Sequence, residues 1–181
     1  MPVDTRLTYD DFCLLPEDGK RREIIEGELF VTPSPLTAHQ RAVVRLTIRL
    51  GQFVETHKLG EVFSAPFDVV FSEFDVVEPD LLFISNARAG VLTRKNVQGA
   101  PDLVVEVLSE STARVDRSIK LKLYGKFGVE EYWIIDPEGP SAEIYRRGKE
   151  GLDLAATLSA EDGLTSPMLP GFSVPLRKLT A

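Results

Sequence analysis

Two carboxylates stand in segments that otherwise have no reason to carry charge. Asp80 follows Pro79 at the head of the apolar run Leu81 to Ile84, and Glu106 is enclosed by valines in the run Leu103 to Leu108. An isolated buried carboxylate is costly, so such a group pairs with a cation or shifts its pKa upward. Two facing carboxylates suit Mg²⁺ or Mn²⁺, because these ions take oxygen ligands and leave positions for water and substrate. The sequence therefore predicts that Asp80 and Glu106 bind a metal, with a structural ion pair as the alternative.

The helix predicted after Glu106 supplies a third group. Asp116, Lys120 and Tyr124 are spaced four residues apart and therefore share one helix face. The neighbouring stripe, which we expect to pack inward, contains Ile119, Leu123 and Phe127. A lysine at this boundary can reach the sheet, where its ammonium would stabilise the charge that develops in phosphodiester hydrolysis. Most helix lysines are solvated, so a surface role for Lys120 stays open.

A sheet and covering helices must bring these groups together. Helical periodicity predicts a short helix that begins after Thr8 and longer helices over Thr37 to Lys58 and Arg114 to Phe127. β-Branched and aromatic runs predict strands at Arg22–Ile25, Glu28–Val31, Glu61–Phe63, Phe67–Phe71, Val76–Ile84, Leu103–Leu108, Glu131–Ile135, Ala142–Arg147 and Leu152–Leu158. The order of these elements predicts one α/β domain over residues 1–181, with a mixed sheet that has a helix on each face.

The longest predicted helix has two further features. His39 lies on its apolar stripe, where a hydrogen-bonded core histidine is the commoner interpretation. Arg41, Arg45 and Arg49 step by four residues and share another face. Such a stripe is usually a solvated surface, but in a nuclease it would contact phosphates.

The composition limits the classes of function. The net charge of −7 argues against a surface that binds nucleic acid everywhere, although a local basic patch is compatible with it. One cysteine and two histidines cannot form a tetrahedral zinc site, so any metal should be hard and oxygen-bound. The sequence has neither a run of about 20 apolar residues nor a signal-peptide pattern, which predicts a soluble cytoplasmic protein.

The chain resembles a known family. The similarity is carried by the run PDLVVEVLSESTARVDRSIKLKLYGKFGVEEYWIIDP, preceded by EIIEGELFVTPSPLTAHQ and by EPDLLFIS. These segments are similar to the Uma-type putative restriction endonucleases, a bacterial group in the PD-(D/E)xK nuclease superfamily. The resemblance extends from about Arg22 to Asp136 and implies a restriction-endonuclease-like three-layer α/β/α core with a central mixed sheet and additional β-hairpins.

The resemblance also implies roles for particular residues. Asp80 would be the motif aspartate and Glu106 the motif acidic residue, both ligating Mg²⁺, with Val107 in the same metal-binding set. The usual pattern has a lysine two residues after the acidic position, but this chain has Leu108 there. The family's lysine on the next helix corresponds to Lys120.

The remaining positions are accessory. Glu26 matches the family's early acidic position and would complete the metal site, and His39 lies in the His-Gln position near it. Tyr124 shares the helix face of Lys120, and Asp116 could orient Lys120 through an i,i+4 pair, although the favoured interpretation is that its charge suits the helix N-terminus. In the nuclease interpretation the Arg41, Arg45 and Arg49 stripe contacts DNA.

We therefore expect a Mg²⁺-dependent phosphodiesterase that cuts DNA, with homodimerisation as a way to cut two strands. One alternative is a nuclease-like module that binds nucleic acid or protein without catalysis. A second is a glycosidase, in which paired carboxylates work without metal in a cleft lined by aromatic residues.

Overall fold

The computed structural model describes residues 6–180, and its central element is a six-stranded mixed sheet. The spatial order of its strands is β11 (Leu152–Ser159), β10 (Ser141–Arg147), β9 (Glu131–Asp136), β8 (Leu103–Val107), β6 (Leu81–Ser85) and β3 (Gly60–Ser64). β8 and β9 are parallel, whereas the other neighbouring pairs are antiparallel. All five residues of β8 are buried, as expected for a central strand covered on both faces.

A second sheet packs beside the first. Its order is β2 (Glu28–Thr32), β1 (Arg21–Ile25), β5 (Asp75–Val77), β4 (Val69–Ser72) and β7 (Val97–Gln98). The strands predicted at Arg22–Ile25 and Glu28–Val31 are confirmed and pair as a hairpin, whose turn residues Glu26 and Gly27 have positive φ of 54° and 80°. Two short strands, β12 (Gly163–Leu164) and β13 (Val174–Pro175), pair separately.

The single strand predicted over Val76 to Ile84 is wrong. It divides into β5 and β6, which belong to different sheets. The break falls at Glu78-Pro79-Asp80, where Pro79 has no N–H to continue a ladder. The chain therefore passes from one sheet to the other immediately before Asp80.

The helix α2 (Thr37–His57) covers one face of the six-stranded sheet. Its Leu46 and Leu50 are fully buried, with Ala42 and Val54 one turn to either side. They pack on alternate sheet residues such as Phe83 and join the main core cluster. The short helix α1 (Tyr9–Cys13) begins after Thr8, as predicted, and Thr8 and Asp11 form a capping box at its start.

The opposite face is covered by the connection between β8 and β9 together with the second sheet. This connection, the crossover helix, comprises α3 (Ala113–Val115), a π-helical turn (Asp116–Lys120) and α4 (Leu121–Phe127), and ends at Gly128 with φ 95°. The expectation that Ile119 packs inward is wrong, because Ile119 is exposed whereas Lys120 is buried. The π-helical turn changes which residues face the sheet, and such turns are often found at functional sites.

The proline-rich tail from Ser166 has little regular secondary structure, as its composition predicts, yet it contributes to the core. It contains β13 and the final helix α5 (Arg177–Thr180). Leu169, Phe172, Leu176 and Leu179 are buried against the α2 side of the sheet. A further short 3₁₀ helix covers Asn86–Val91. No helix within residues 6–180 is long and apolar enough to cross a membrane.

Candidate active site

A cavity of about 830 Å³ lies where the two sheets meet. Its lining includes Asp80, Glu106, Asp116 and Lys120, together with residues of the segments 19–21, 31–36 and 109–112. The alternation of β8 directs Glu106 to the same face as Val104, toward the crossover helix. Asp80 lies immediately before β6, and its side chain accepts a hydrogen bond from the backbone N–H of Val107 in β8. Both predicted ligands therefore reach one site.

Asp80 is held as an ionised carboxylate. Its Oδ2 accepts a hydrogen bond from the backbone N–H of Val107 at 2.7 Å and faces Nε2 of His39 at 3.2 Å, while Oδ1 accepts one from Nη1 of Arg21 at 2.7 Å. Burial alone would raise the pKa of Asp80. The hydrogen bond with His39, the charge of Arg21 and the Val107 N–H outweigh burial and lower the pKa to about 2.

Glu106 and Lys120 form the buried centre of the site. Lys120 Nζ donates to Oε1 of Glu106 at 2.8 Å, and Tyr124 donates its hydroxyl to the same oxygen at 2.8 Å. Burial raises the pKa of Glu106 to about 8, although Lys120 acts in the opposite direction, and the nearby charges of Asp80 and Asp116 add to the rise. A lysine that is 3% exposed is not a solvated helix lysine, so the surface interpretation of Lys120 is wrong.

Two site residues were missed by sequence reasoning, and both lie on β1. Glu23 accepts a hydrogen bond from Lys120 Nζ at 2.9 Å and another from the N–H of Glu78 at 2.9 Å. Arg21 binds Asp80, donates to the carbonyl oxygen of Glu78, and places Nη2 3.6 Å from Oε2 of Glu106. Strand alternation gives Arg21 and Glu23 the same face, but the adjacent Arg22 made the segment look like an ordinary charged edge.

The guanidinium of Arg21 lies between the two predicted metal ligands. Burial alone would lower its pKa, but the charges of Glu106, Asp80 and Glu23 raise it above the ordinary value for arginine. Its Nε has no hydrogen-bond partner within the described chain, and a fifth of its side chain is exposed to the cavity. Arg21 is therefore partly bound in the site and partly available to a ligand there.

Asp116 approaches the same lysine from the π-helical turn. Its Oδ1 is 3.7 Å from Lys120 Nζ and has no hydrogen-bond partner among residues 6–180. Burial raises the pKa of Asp116, an effect that Lys120 partly offsets. The prediction that Asp116 and Tyr124 accompany Lys120 at one site thus agrees with the geometry, because all three point into it.

Other predicted residues lie elsewhere. Glu26 is exposed at the hairpin turn and does not line the cavity, whereas Glu23, three residues earlier, is buried and accepts a hydrogen bond from Lys120. Arg41 and Arg49 are exposed on α2, and none of the three α2 arginines lines the cavity. Arg45 and Arg49 instead line a separate hollow.

The donors available to a metal are carboxylates. Asp80 and Glu106 supply side-chain oxygens, and Val107 can contribute only its carbonyl oxygen. Among residues 6–180 no group of three His, Cys, Asp or Glu side chains is arranged around a common metal position. The set fits an ion that is bound by one or two carboxylates and otherwise by water, which is the habit of Mg²⁺.

Comparisons with known proteins agree with this fold. The model of the family described as "Uma2: Putative restriction endonuclease" matches residues 9–177. The crystal structure of a putative nuclease belonging to DUF820 from Anabaena variabilis ATCC 29413 is similar, with a TM-score of 0.80 and 20% identity over 96% of this chain and 97% of that one. No curated protein matches the chain significantly. The structural similarity confirms the restriction-endonuclease-like α/β fold.

Proposed function

The chain belongs to the Uma2 family of putative restriction endonucleases, and we propose that it is a Mg²⁺-dependent nuclease that hydrolyses phosphodiester bonds of DNA. The observation that carries the proposal is the pairing of Asp80 and Glu106 on one cavity wall, with the ammonium of Lys120 2.8 Å from Glu106. Carboxylates from two strands and a lysine from the crossover helix are the groups that metal-assisted phosphodiester hydrolysis requires.

The charges of the site favour a divalent cation. Five carboxylates form ion pairs with the two cations Arg21 and Lys120, and they are those of Glu23, Glu78, Asp80, Glu106 and Asp116. With all seven groups ionised, three negative charges remain uncompensated in a largely buried site. Burial is the main cause of the raised pKa of Glu106, and the negative charges of Asp80 and Asp116 add to the rise. A divalent ion would compensate much of this negative charge.

Each residue then has a separate task. Asp80 and Glu106, with the Val107 carbonyl, would hold the ion, and Glu23 replaces Glu26 as the accessory acidic residue. When bound, Mg²⁺ or Mn²⁺ polarises a phosphate and makes water a stronger nucleophile. Lys120 would stabilise the charge that develops on the phosphate oxygens.

Two more groups prepare the site. His39 orients Asp80 through the contact between Nε2 and Oδ2. Arg21 lines the cavity with a planar, multidentate donor group that matches a phosphate. Arg21 forms ion pairs with both Asp80 and Glu106, so it would hold the two predicted ligands close to each other.

The alternatives receive different support. A binding module without catalysis is favoured by one observation, which is that Arg21 already occupies the space between the two ligands. The glycosidase alternative predicted aromatic residues in the cleft, but no Phe, Tyr or Trp is among the described residues that line the cavity.

The decisive experiment is calorimetric titration with Mg²⁺ and Mn²⁺, paired with a plasmid-nicking assay. Asp80→Asn and Glu106→Gln keep side-chain size, and both should abolish metal binding and nicking. Glu23→Gln should weaken binding, whereas its matched control in the same hairpin, Glu26→Gln, should not. Metal binding without nicking would contradict DNA as the substrate. Wild-type protein that binds no metal would support the binding module instead.

A further inference from the structure

A hollow of about 340 Å³ outside the catalytic cavity is lined entirely by basic residues. These are Arg45 and Arg49 of α2 and Arg177 and Lys178 of α5. The chain as a whole has a net charge of −7, so this hollow is opposite in sign to the average surface. A local concentration of positive charge of this kind attracts a polyanion.

The packing of α5 against α2 creates the hollow. Leu176 and Leu179 are fully buried in the α2 side of the core, which leaves the two residues between them, Arg177 and Lys178, exposed beside α2. Arg177 also forms an ion pair with Glu161 at 2.8 Å, with both side chains more than half exposed. Exposed pairs of this kind are weak, so a ligand phosphate can compete for Arg177.

A neighbouring hollow shares Arg49 and favours nucleic acid over an acidic peptide. Its lining includes Gln52, Phe53 and His57. The rings of Phe53 and His57 stack with centroids 4.1 Å apart and an interplanar angle of 27°. Aromatic rings beside cationic groups suit a sugar or base next to a phosphate, and an acidic peptide has no equivalent of this contact.

We infer that the hollow between α2 and α5 binds the phosphate backbone of a nucleic acid, with the ring pair of His57 and Phe53 against an adjacent sugar or base. His39, near the start of α2, lies in the catalytic cavity. Arg45 and Arg49 are roughly 9 and 15 Å farther along the helix axis. The surface would therefore orient a strand whose next segment reaches Asp80. That orientation rests on the proposed nuclease function, but binding at the hollow does not require metal or cleavage.

The test is fluorescence anisotropy of a short labelled DNA duplex and of its single strand, in EDTA, over a series of KCl concentrations. Arg49→Ala and Lys178→Ala should each weaken binding several-fold and reduce the slope of log K against log[salt] by about 1. The matched control is Lys149→Ala, in the exposed loop between β10 and β11, which should bind as the wild type does. Arg45 is not substituted, because it has an interaction within the protein.

The outcomes separate this inference from the proposed function. Equal salt slopes in wild type, both variants and the control would overturn the inference, as would the absence of DNA binding by the wild type. Polyglutamate that competes as well as unlabelled DNA would overturn the choice of nucleic acid. Intact, Arg49-dependent binding in a protein that never nicks DNA would contradict only the nuclease proposal. If nicking requires Asp80 but not Arg49 or Lys178, and the Arg49→Ala and Lys178→Ala variants show unchanged anisotropy, only the inference that the hollow binds nucleic acid would be contradicted.

Discussion

Replacing Lys120 by methionine should destabilise the protein strongly, although lysine is ordinarily a surface residue. The ammonium of Lys120 is 2.8 Å from Glu106, 2.9 Å from Glu23 and 3.7 Å from Asp116, and the residue is 3% exposed. Methionine fills a similar volume but leaves these carboxylates without their common cation. Removing one partner of a buried ion pair costs about 3–5 kcal/mol. We therefore expect the free energy of unfolding to fall by this amount at pH 8.5, where part of the Glu106 population is ionised because its pKa is about 8.

The assay is urea denaturation followed by circular dichroism, in EDTA. Lys122→Met is the matched control, since Lys122 is exposed on the same crossover helix and should lose less than about 0.5 kcal/mol. At pH 6 the loss for Lys120→Met should be smaller, because Glu106 then binds a proton and no longer repels its neighbours. Combining Lys120→Met with Glu106→Gln should recover part of the loss. A Lys120→Met variant as stable as Lys122→Met at pH 8.5 would refute the buried-cation argument.

Three further changes test other parts of the structure. The folded pKa of Glu106 is about 8 and the unfolded pKa about 4.3, so the folded state binds the extra proton and the free energy of unfolding falls as pH rises between these values. Glu106→Gln should flatten this fall in EDTA, and an unchanged pH profile would contradict the assignment. Glu26→Asn should raise the free energy of unfolding by roughly 0.5 kcal/mol, because Asn-Gly suits the positive φ of both turn residues. The measurement is thermal melting, and a lower melting temperature in the variant would contradict this expectation. Leu50→Ala should cost about 2–5 kcal/mol in urea denaturation, whereas the exposed Ile48→Ala on the same helix should cost little, and equal losses would argue against the packing of α2.

The sequence predicts best what is set by neighbours along the chain. The hairpin at Glu26-Gly27, the helix α2 and the crossover helix follow from turn residues and apolar periodicity within a few residues. Glu106 was found because one acidic residue interrupts an apolar strand. These features need no knowledge of which strand lies beside which.

What could not be predicted depends on contacts between distant segments. Arg21 meets Asp80 across 59 positions, and Lys120 meets Glu23 across 97. Nothing in the local pattern of β1 indicates that its polar face lies against another sheet. The π-helical turn was also hidden, since the spacing of Ile119, Leu123 and Phe127 fits an ordinary α-helix. Burial of Lys120 therefore had to come from the structure.

The assignment of Glu26 shows the limit of arguing by resemblance. The hairpin offers acidic residues at positions 23, 26 and 28, and the register of β1 decides which one reaches Lys120. Glu23 faces the buried side with Arg21, whereas Glu26 is exposed at the turn. A resemblance located the hairpin, whereas strand geometry shows which of its acidic residues contacts Lys120.

The shared cluster at the junction of the two sheets restricts how this protein can change over generations. Deleting one of the two cations leaves the carboxylates uncompensated, so substitutions of Arg21 or Lys120 would be removed for loss of the fold before any loss of chemistry is felt. Glutamine at position 106 has a different effect, since it retains the acceptor for Lys120 and Tyr124 while removing a negative charge. Under the proposed nuclease function, a descendant without catalysis would most easily begin with this exchange and keep its lysine. Its sequence would still resemble the Uma2 family, and its fold would be unchanged.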